Sequence, residues 1–449
     1  MPGGATTTTR WLAGMLVAFL GAIPFGDFTV QGHVSYFVGA MLVASVCYFH
    51  ALCSYPFHSP ATRIKIFWTA TILLRATALF IPAGDDIHRY LWEGRIQWPG
   101  FNPYLLAPNS STLAHLRDAS WSLINHPEWS TIYPPGAEII LKLLTIFGPS
   151  QIAIKLACVF ADLCVIYLLL RVNTGPARYR DTAWYAWNPL VIYSFAGAGH
   201  FDSWMLAPLL LSIYALHRGN SLGQYPMRWA WAVVAATSLG VAISIKLVPL
   251  IFLPVIALAL RSRFVVLPLA FVPLGLTSLV YGFPKNPIFD SFREFSYISR
   301  FNDFIWWISE RLIWANSTQK NGAYNLIGVA VISAVSLITW FRWRDWRRAL
   351  LWTMGTCLVF STVVHPWYIT WILPFAAMRR AHAWFVHSAT VFLAYLWWES
   401  TSWWSAWQPS PLLSLSVSLP PLLFCIYVAL KSRPHHLDGN RVPKPELQS

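Results

Sequence analysis

The stretch that decides the fold is IPAGDDIHRYLWEGRIQWPGFNPYLLAP, residues 81–108. An apolar segment stops at Gly84, two adjacent aspartates follow, and charged, aromatic, glycine and proline residues then alternate. An aspartate at the end of a membrane span is costly unless it is solvated or paired. Asp86 is therefore a candidate functional residue if the segment before it crosses a membrane.

The composition of the whole chain predicts a membrane protein. Of its 449 residues, 56% are hydrophobic and only 11% are charged, whereas soluble domains carry about a quarter charged residues. Apolar runs of roughly 17–22 residues recur along the chain, close to the length that crosses a bilayer. We expect an all-α polytopic membrane protein, which excludes an ordinary soluble enzyme.

The order of apolar runs and basic loops predicts the topology. Because short neighbouring runs such as those in 229–260 and 349–378 can form one broken helix, we expect about 11–14 transmembrane helices. The candidate spans are residues 11–25, 35–55, 66–84, 151–171, 182–199, 203–217, 229–245, 247–260, 264–283, 323–341, 349–364, 367–378, 383–398 and 412–430.

Basic residues then fall on one side of the membrane, which the positive-inside rule assigns to the cytoplasm. This accounts for the formal net charge of +14 without a nucleic-acid partner. The basic positions are Arg63, Lys65, Arg171, Arg178, Arg180, Arg218, Arg228, Arg261, Arg263, the run RWRDWRR at 342–348, Arg379, Arg380 and the tail from Lys431.

The opposite side collects the unusual segments. A first loop at 84–150 and a second loop at 284–322 lie there, with short turns near 197–202, 244–249 and 365–368. Within the first loop, 86–98 and 112–124 have the polarity of helices that lie along the membrane surface. We expect residues 1–430 to form a single transmembrane domain and 431–449 to be a disordered, basic cytoplasmic tail.

The charges of the first loop have a structural and a functional interpretation. On a helix, Asp85, Arg89 and Glu93 follow one another at i,i+4 spacing, which predicts a salt-bridge ladder. Asp86 points to a different face of that helix, so the ladder does not explain it. Asp86 is therefore the stronger functional candidate.

The turns on the same side add further reactive groups. His200 and Asp202 lie in GHFD, Lys246 lies in the apolar run ISIKLVPLIF, and HPWY begins at His365. A lysine in such a run either snorkels to the interface or contacts an anionic headgroup. No Walker A loop, GxGxxG, HExxH or zinc-ligand spacing is present. Carboxylates, an imidazole, a cation and aromatic rings together fit a sugar carried on a lipid phosphate.

Several blocks resemble bacterial integral-membrane glycosyltransferases of the GT-C superfamily, in particular polyprenyl-phosphate-mannose-dependent mannosyltransferases. The resemblance covers roughly residues 66–378 and is most specific in the first block. The blocks are GDDIHRYLWEGRIQWPGFNPYLLAP, INHPEWSTIYPPGAEII, WNPLVIYSFAGAGHFDSWMLAPLLLS, IKLVPLIFLP and VVHPWYITWILPF. A GT-C-like helical bundle with extracytoplasmic interfacial helices is the fold that this resemblance implies.

The resemblance also implies roles for individual residues. It places the catalytic aspartate at Asp86 or Asp85, with Asp86 favoured because it directly precedes the Ile-x-Arg-Tyr segment. The donor phosphate would contact Lys246, Arg89, His200 and Arg95. The substrate cavity would include Tyr90, Glu93, Asn102, Tyr104, Tyr133, Asp202, His365, Trp367 and Tyr368.

These roles predict an inverting mannosyl transfer on the extracytoplasmic face of the bacterial cytoplasmic membrane. The donor would be a polyprenyl-phosphate hexose among the membrane lipids, and the acceptor a lipid, glycan or protein. A polyprenyl phosphate is already a good leaving group, so one carboxylate acting as general base is sufficient. We expect neither a metal nor a cofactor.

Two other functions fit parts of the sequence. A transporter or lipid-linked-sugar flippase could use His200, Asp202 and Lys246 as a relay at membrane depth. Transporters often contain internal repeats, and none is found here. A ligase or polymerase of lipid-linked glycans would share the architecture but transfer a whole oligosaccharide.

Overall fold

The computed structural model describes residues 3–55, 59–221, 225–260, 263–313, 320–400 and 411–431. Within these ranges the chain is helical, and its strand-like pairing is one isolated bridge between Phe301 and Val363. The predicted all-α class is confirmed. The predicted tail lies outside the described residues except for Lys431, which ends the last helix.

Most helices follow the apolar runs of the sequence. The α-helices are α1 Gly3–Ala22, α2 His33–Ser54, α3 Pro60–Ala78, α4 Asp86–Ile96, α5 Pro135–Leu144, α6 Gln151–Val172, α7 Arg178–Ala186, α8 Pro189–Ile192, α9 Asp202–Ser221, α10 Tyr225–Ile245, α11 Leu253–Ala259, α12 Arg263–Val280, α13 Asp290–Ile298, α14 Phe304–Leu312, α15 Gly322–Trp343, α16 Trp346–Phe360, α17 Leu373–Arg379, α18 His382–Thr390, α19 Trp397–Ser400 and α20 Pro411–Lys431. Short 3₁₀ turns cover Ile23–Phe25, Ser111–Leu116, Ala119–Leu123, Val248–Phe252, Pro366–Trp371 and Val391–Leu396, and a π-helical turn covers Tyr193–Gly197.

Length and composition support the polytopic membrane protein predicted from the sequence. Among the described residues, five helices are long and apolar enough to cross a membrane. They are Thr6–Phe25, His33–Ser54, Gln151–Val172, Met227–Ile245 and Gly322–Trp343. Shorter apolar helices at Val248–Ala259, Leu267–Val280 and Leu412–Val428 accompany them.

Two apolar stretches are broken at the turns that carry polar residues. Helix α10 ends at Ile245, and a 3₁₀ turn with Pro249 separates it from α11. Helix α16 ends at Phe360, and a 3₁₀ turn that begins at Pro366 precedes α17. Proline lacks the N–H that an α-helix requires, so it favours a break at these points. The structure thus has breaks within 229–260 and 349–378, and whether each stretch forms one broken span or two spans stays a prediction.

One predicted surface helix is wrong in detail. Helix α4 covers most of 86–98, but 112–124 forms two 3₁₀ turns in place of one helix. The side chain of Asp118 accepts a hydrogen bond from the backbone N–H of Ser120 between these turns. Aspartate and serine compete with the helical backbone in this way, which interrupts the helix.

Lys155, in α6, caps the end of α3. Its Nζ donates to the carbonyls of Leu79 at 3.2 Å and Ile81 at 2.5 Å, and its side chain is buried. The last carbonyls of a helix lack intrahelical donors and carry partial negative charge, so a cation stabilises them. This contact fixes where the chain leaves α3, just before Asp85 and Asp86.

The turn at 197–202 also contacts the chain just before Asp85 and Asp86. The N–H of Gly84 donates to the carbonyl of Ala198 at 3.0 Å. Gly199 has φ +79°, and a Cβ there would lie 3.0 Å from the side chain of Ile87. A glycine therefore allows this turn to approach α4 closely.

Several of the basic residues predicted to share one side contact the same group of helices. Arg380 forms an ion pair with Asp181, and Arg379 forms one with Asp345. Arg347 donates to the carbonyl of Val172. These contacts join the ends of α6, α7, α16 and α17 at residues that do not line the cavity described below.

Replacing Lys155 by methionine tests the cap on α3. We expect Lys155→Met to destabilise the protein by about 2 kcal/mol or more, because two buried carbonyls lose their donor. Thermal unfolding in detergent measures the loss. The control is Lys285→Met, which changes an exposed lysine and should leave the melting temperature unchanged; equal melting of the two variants would contradict the capping role.

Candidate active site

A cavity of about 710 Å³ lies between the first loop, the second loop and the turns at 244–249 and 365–368. The first loop contributes side chains between residues 85 and 90 and between 125 and 134, and the second loop contributes side chains between 292 and 301 together with Glu310. Four further residues that the sequence assigned to the site also line the cavity: Lys246, His365, Trp367 and Tyr368. A space of this size suits a small-molecule substrate.

Asp86 is held in this cavity by donors from separate parts of the chain. Its Oδ1 accepts from Asn125 Nδ2 at 2.8 Å, and its Oδ2 accepts from the Tyr90 hydroxyl at 3.2 Å. His200 Nδ1 lies 3.4 Å from the same Oδ2. Asp85 has a longer contact, with its Oδ2 3.4 Å from Asn125 Nδ2. Asp86 is therefore the more firmly oriented carboxylate of the pair.

The two neighbouring aspartates have opposite pKa shifts. Burial raises the pKa of Asp85 to about 6, and the charge of Asp86 adds to the rise. Burial would also raise the pKa of Asp86, but contacts with His200 and Asn125 outweigh this effect and lower the pKa. At neutral pH Asp86 is ionised, whereas Asp85 is half protonated near pH 6.

A stack of rings lies at one side of the cavity, which its members Trp367, His365 and Phe301 line and its first member, the predicted site residue His200, does not. Successive ring centroids are separated by 3.7 Å from His200 to Trp367, 4.5 Å from Trp367 to His365 and 5.0 Å from His365 to Phe301. His365 is buried and also lies 5.2 Å, between ring centroids, from Tyr368. The stack links the turn at 197–202 to the second loop.

Lys246 lies where α10 breaks. Its Nζ donates to Asp202, which also accepts from Trp371 Nε1 at 2.6 Å. The ammonium is also 4.8 Å from the ring centroid of Tyr368 and 5.6 Å from that of Phe201. An ammonium has three N–H donors, and Lys246 both pairs with Asp202 and faces the cavity.

Arg89 holds the far side of the first loop. Its Nε donates to Glu93 at 2.9 Å. Its two terminal nitrogens donate to the carbonyls of Asn125, His126, Trp129 and Ser130. Arginine has five N–H donors, and these contacts use them on the protein itself. The guanidinium thus anchors the loop that carries Asn125.

A buried polar network supports this anchor. Thr131 Oγ1 donates to Glu138 Oε1 at 2.7 Å, and Gln97 Nε2 donates to Glu138 Oε2 at 3.0 Å. Burial raises the pKa of both Glu93 and Glu138, and the nearby charge of Glu93 raises that of Glu138 further. The network joins α4 to α5 and fixes the base of the first loop.

Other residues assigned to the site lie outside the cavity wall. Arg95 pairs with Asp118 and donates to the carbonyl of Leu116. Asn102 donates to the carbonyl of Tyr281 and accepts from the N–H of Tyr104. Glu93, Tyr104 and Asp202 thus contact residues of the wall, Arg89, Tyr133 and Lys246, whereas Asn102 and Arg95 contact other parts of the protein. Tyr133, which Tyr104 holds through its backbone carbonyl, does line the cavity.

Asn125 and Arg300 are among the cavity residues that were not singled out from the sequence. Asn125 contacts both aspartates, and its only sequence signal was its position in the block INHPEW. Arg300 lines the cavity from the second loop and pairs with Asp303 and Glu310. No motif in the sequence connects Arg300 to the first loop.

Among the residues that the structure describes, no group of three or more His, Cys, Asp or Glu is placed to hold a metal ion. Charged side chains that line the cavity include Asp86, Lys246 and Arg300.

Comparisons with known proteins agree with the resemblance of the sequence blocks. Residues 3–262 match a family model described as Alpha-(1->6)-mannopyranosyltransferase, N-terminal domain. The chain is 24% identical over 364 residues to Alpha-(1->6)-mannopyranosyltransferase A of Mycobacterium tuberculosis (strain ATCC 25618 / H37Rv), an alignment that covers 72% of this chain and 67% of that protein. No solved structure matches the chain.

Replacing Arg89 by lysine tests the anchor of the first loop. Lysine has fewer donors, so Arg89→Lys leaves buried carbonyls unsatisfied and should destabilise the protein by about 3 kcal/mol. Thermal unfolding in detergent, together with faster amide hydrogen exchange in residues 125–130, measures the effect.

The matched control is Arg95→Lys in the same helix. Arg95 and Asp118 are partly exposed, and such pairs contribute less than about 1 kcal/mol. If the exchange of residues 125–130 were equally fast in both variants, Arg89 would not be the anchor of the loop.

Proposed function

This chain belongs to the family described as alpha-(1->6)-mannopyranosyltransferase and is a membrane mannosyltransferase; on that premise we propose that it transfers mannose from a polyprenyl phosphate to an acceptor hydroxyl. The name of the mycobacterial relative indicates an α-(1→6) mannopyranosyl product, and we propose the same linkage here. The acceptor is a lipid, glycan or protein that presents a hydroxyl on the extracytoplasmic face of the bacterial cytoplasmic membrane.

The observation that carries this proposal is the shared cavity of Asp86 and Lys246. This reaction needs an oriented, ionised carboxylate beside the acceptor hydroxyl. It also needs a cation at membrane depth beside the donor phosphate. Aromatic side chains, among them Trp367 and Tyr368, provide flat apolar faces between them. Such faces suit the C–H surface of a sugar ring.

Lys246 is the proposed contact of the donor phosphate. A lysine is an effective point charge for phosphate, and the pairing with Asp202 holds this one at the cavity wall. Arg89 does not take this role in the proposal, because its donors already bind Glu93 and four carbonyls. His200 contributes by orienting Asp86.

Asp86 is the proposed general base. Its carboxylate accepts the proton of the acceptor hydroxyl while the hydroxyl oxygen forms a bond to the anomeric carbon. The bond between that carbon and the phosphate oxygen breaks, and Lys246 stabilises the charge on the departing polyprenyl phosphate. Attack from the opposite side inverts the configuration, so a β-linked donor gives an α-linked product.

Single substitutions distinguish the roles of Asp85 and Asp86. Asp86→Asn should lower the turnover number on the order of 10²–10⁴-fold, because the general base is lost. Asp85→Asn should retain most activity, since Asp85 has a weaker hold on the site. The turnover number of each variant is measured in detergent as the transfer of labelled mannose from polyprenyl-phosphate mannose to the product.

Unimpaired turnover of Asp86→Asn would refute the assignment of the base. Donor binding measured by calorimetry should remain in Asp86→Asn, and its melting temperature shows whether the variant is folded.

The acid side of the pH profile tests the same assignment independently. The lowered pKa of Asp86 keeps this carboxylate ionised as the pH falls, so turnover should change little between pH 7 and pH 5. If Asp85, with a raised pKa of about 6, were the base, its protonation would reduce turnover about tenfold at pH 5. A loss with a midpoint near pH 6, combined with an inactive Asp85→Asn, would transfer the role to Asp85.

A further inference from the structure

We propose that Arg300 and Glu310 of the second loop form the acceptor subsite of the cavity and bind an uncharged, hydroxyl-rich acceptor. This inference rests on the proposed function, because it assigns the end of the cavity that the donor phosphate does not occupy. Neither residue lies within the matched family range of residues 3–262.

A row of ring contacts connects two cations of the cavity, Lys246 and Arg300. Lys246 is 4.8 Å from the ring centroid of Tyr368, and the centroids of Tyr368 and His365 are 5.2 Å apart. His365 stacks on Phe301 at 5.0 Å, and Phe301 is the neighbour of Arg300 in sequence. A donor phosphate at Lys246 and an acceptor at Arg300 would therefore contact the first and the last member of this row.

The second loop is fixed in this position by backbone contacts. The N–H of Phe301 donates to the carbonyl of Thr362 at 3.0 Å, and the N–H of Val364 donates to the carbonyl of Phe301 at 2.7 Å. Asn302 has φ +51° and donates through Nδ2 to the carbonyl of Val364. Arg300 thus has a defined place beside the 361–365 segment, which the preorganisation of a binding site requires.

The side-chain contacts of Arg300 also point to a built site. The guanidinium pairs with Asp303 and Glu310, and all three side chains are largely buried. The hydroxyl of Tyr324 donates to Glu310 Oε1 at 2.8 Å, which fixes the carboxylate. Because Arg300 and Glu310 both line the cavity, they present N–H donors and carboxylate acceptors to one ligand.

The balance of charge distinguishes the two ends. Lys246 faces one carboxylate, that of Asp202. Arg300 faces two carboxylates, those of Asp303 and Glu310. The Lys246 pair is formally neutral and the Arg300 group carries one excess negative charge, so an additional anion is opposed more strongly at the Arg300 end. An uncharged acceptor with several hydroxyls avoids this repulsion and can both donate to the carboxylate and accept from the guanidinium.

An apolar face lies beside these charges. The ring of Trp398 lines the cavity, and its centroid is 6.0 Å from that of Phe301. Such rings pack against the C–H face of a sugar while its hydroxyls contact charged groups. Arg300, Glu310 and Trp398 together provide the contacts expected for a sugar unit.

The test measures Michaelis constants for donor and acceptor separately. The donor is polyprenyl-phosphate mannose, and the acceptor is a synthetic methyl α-(1→6)-mannobioside. Arg300→Lys and Glu310→Gln should each raise the acceptor constant about tenfold, the effect of losing one hydrogen bond to a charged group. The donor constant should stay unchanged in both variants. Lys246→Met should show the opposite pattern, with a raised donor constant.

A matched control lies on the same loop. Asp290 and Arg293 form an ion pair of 3.9 Å on the surface, with 63% and 81% of their side chains exposed. Asp290→Asn should leave both constants unchanged. Melting temperatures show which variants are folded, and Glu310→Gln, which keeps the size of the side chain, provides the result if Arg300→Lys does not fold.

Unchanged acceptor constants in both folded variants would overturn the subsite, as would donor and acceptor constants that rise together. If the wild-type protein used anionic phosphatidylinositol better than the mannobioside, the uncharged acceptor class would be wrong. A wild-type protein that transfers no mannose from polyprenyl-phosphate mannose would refute the proposed function. Calorimetric binding of the mannobioside then still tests the subsite: binding that Arg300→Lys abolishes supports it, and absent or equal binding overturns it.

Discussion

Two adjacent carboxylates at the end of an apolar helix have to be solvated by the protein itself, and much of the surrounding structure meets this requirement. Asp86 receives hydrogen bonds from Asn125 and Tyr90 and lies beside His200. These residues come from the far end of the first loop, from α4 and from a turn between helices. Solvating one carboxylate therefore brings three separated segments together, and their meeting point forms the wall of the cavity.

Buried ion pairs away from the reacting groups hold the surrounding segments in place. Arg89 and Glu93 are almost fully buried, as are Arg75 and Asp162 between α3 and α6. Such pairs add little net stability because desolvation offsets their attraction, but removing one partner is expensive. In this protein they fix geometry. Arg89 in particular determines where Asn125 lies, and Asn125 in turn contacts both aspartates.

Breaks in the apolar helices allow charged and polar side chains to reach the cavity. Lys246 and His365 lie where apolar stretches leave the α-helical path, so both can reach a cavity from within the membrane-spanning part of the chain. Irregular backbone at that depth is tolerated where it is buried in protein or lines a cavity. The same breaks place rings between Lys246 and Arg300. These two cations also differ in the number of carboxylates beside them.

The sequence by itself determined the helical membrane architecture, because apolar run length and the position of basic loops depend only on local composition. It also marked Asp86 and Lys246, since a charge beside or within an apolar run is conspicuous without any knowledge of contacts. The tertiary structure alone decided that Arg89 binds loop carbonyls 36 to 41 residues away, that Asn125 holds the aspartates, and that Arg300 enters the cavity. Hydrogen bonds between distant segments leave no periodic pattern in a sequence, so such roles are visible only once the fold brings the partners together.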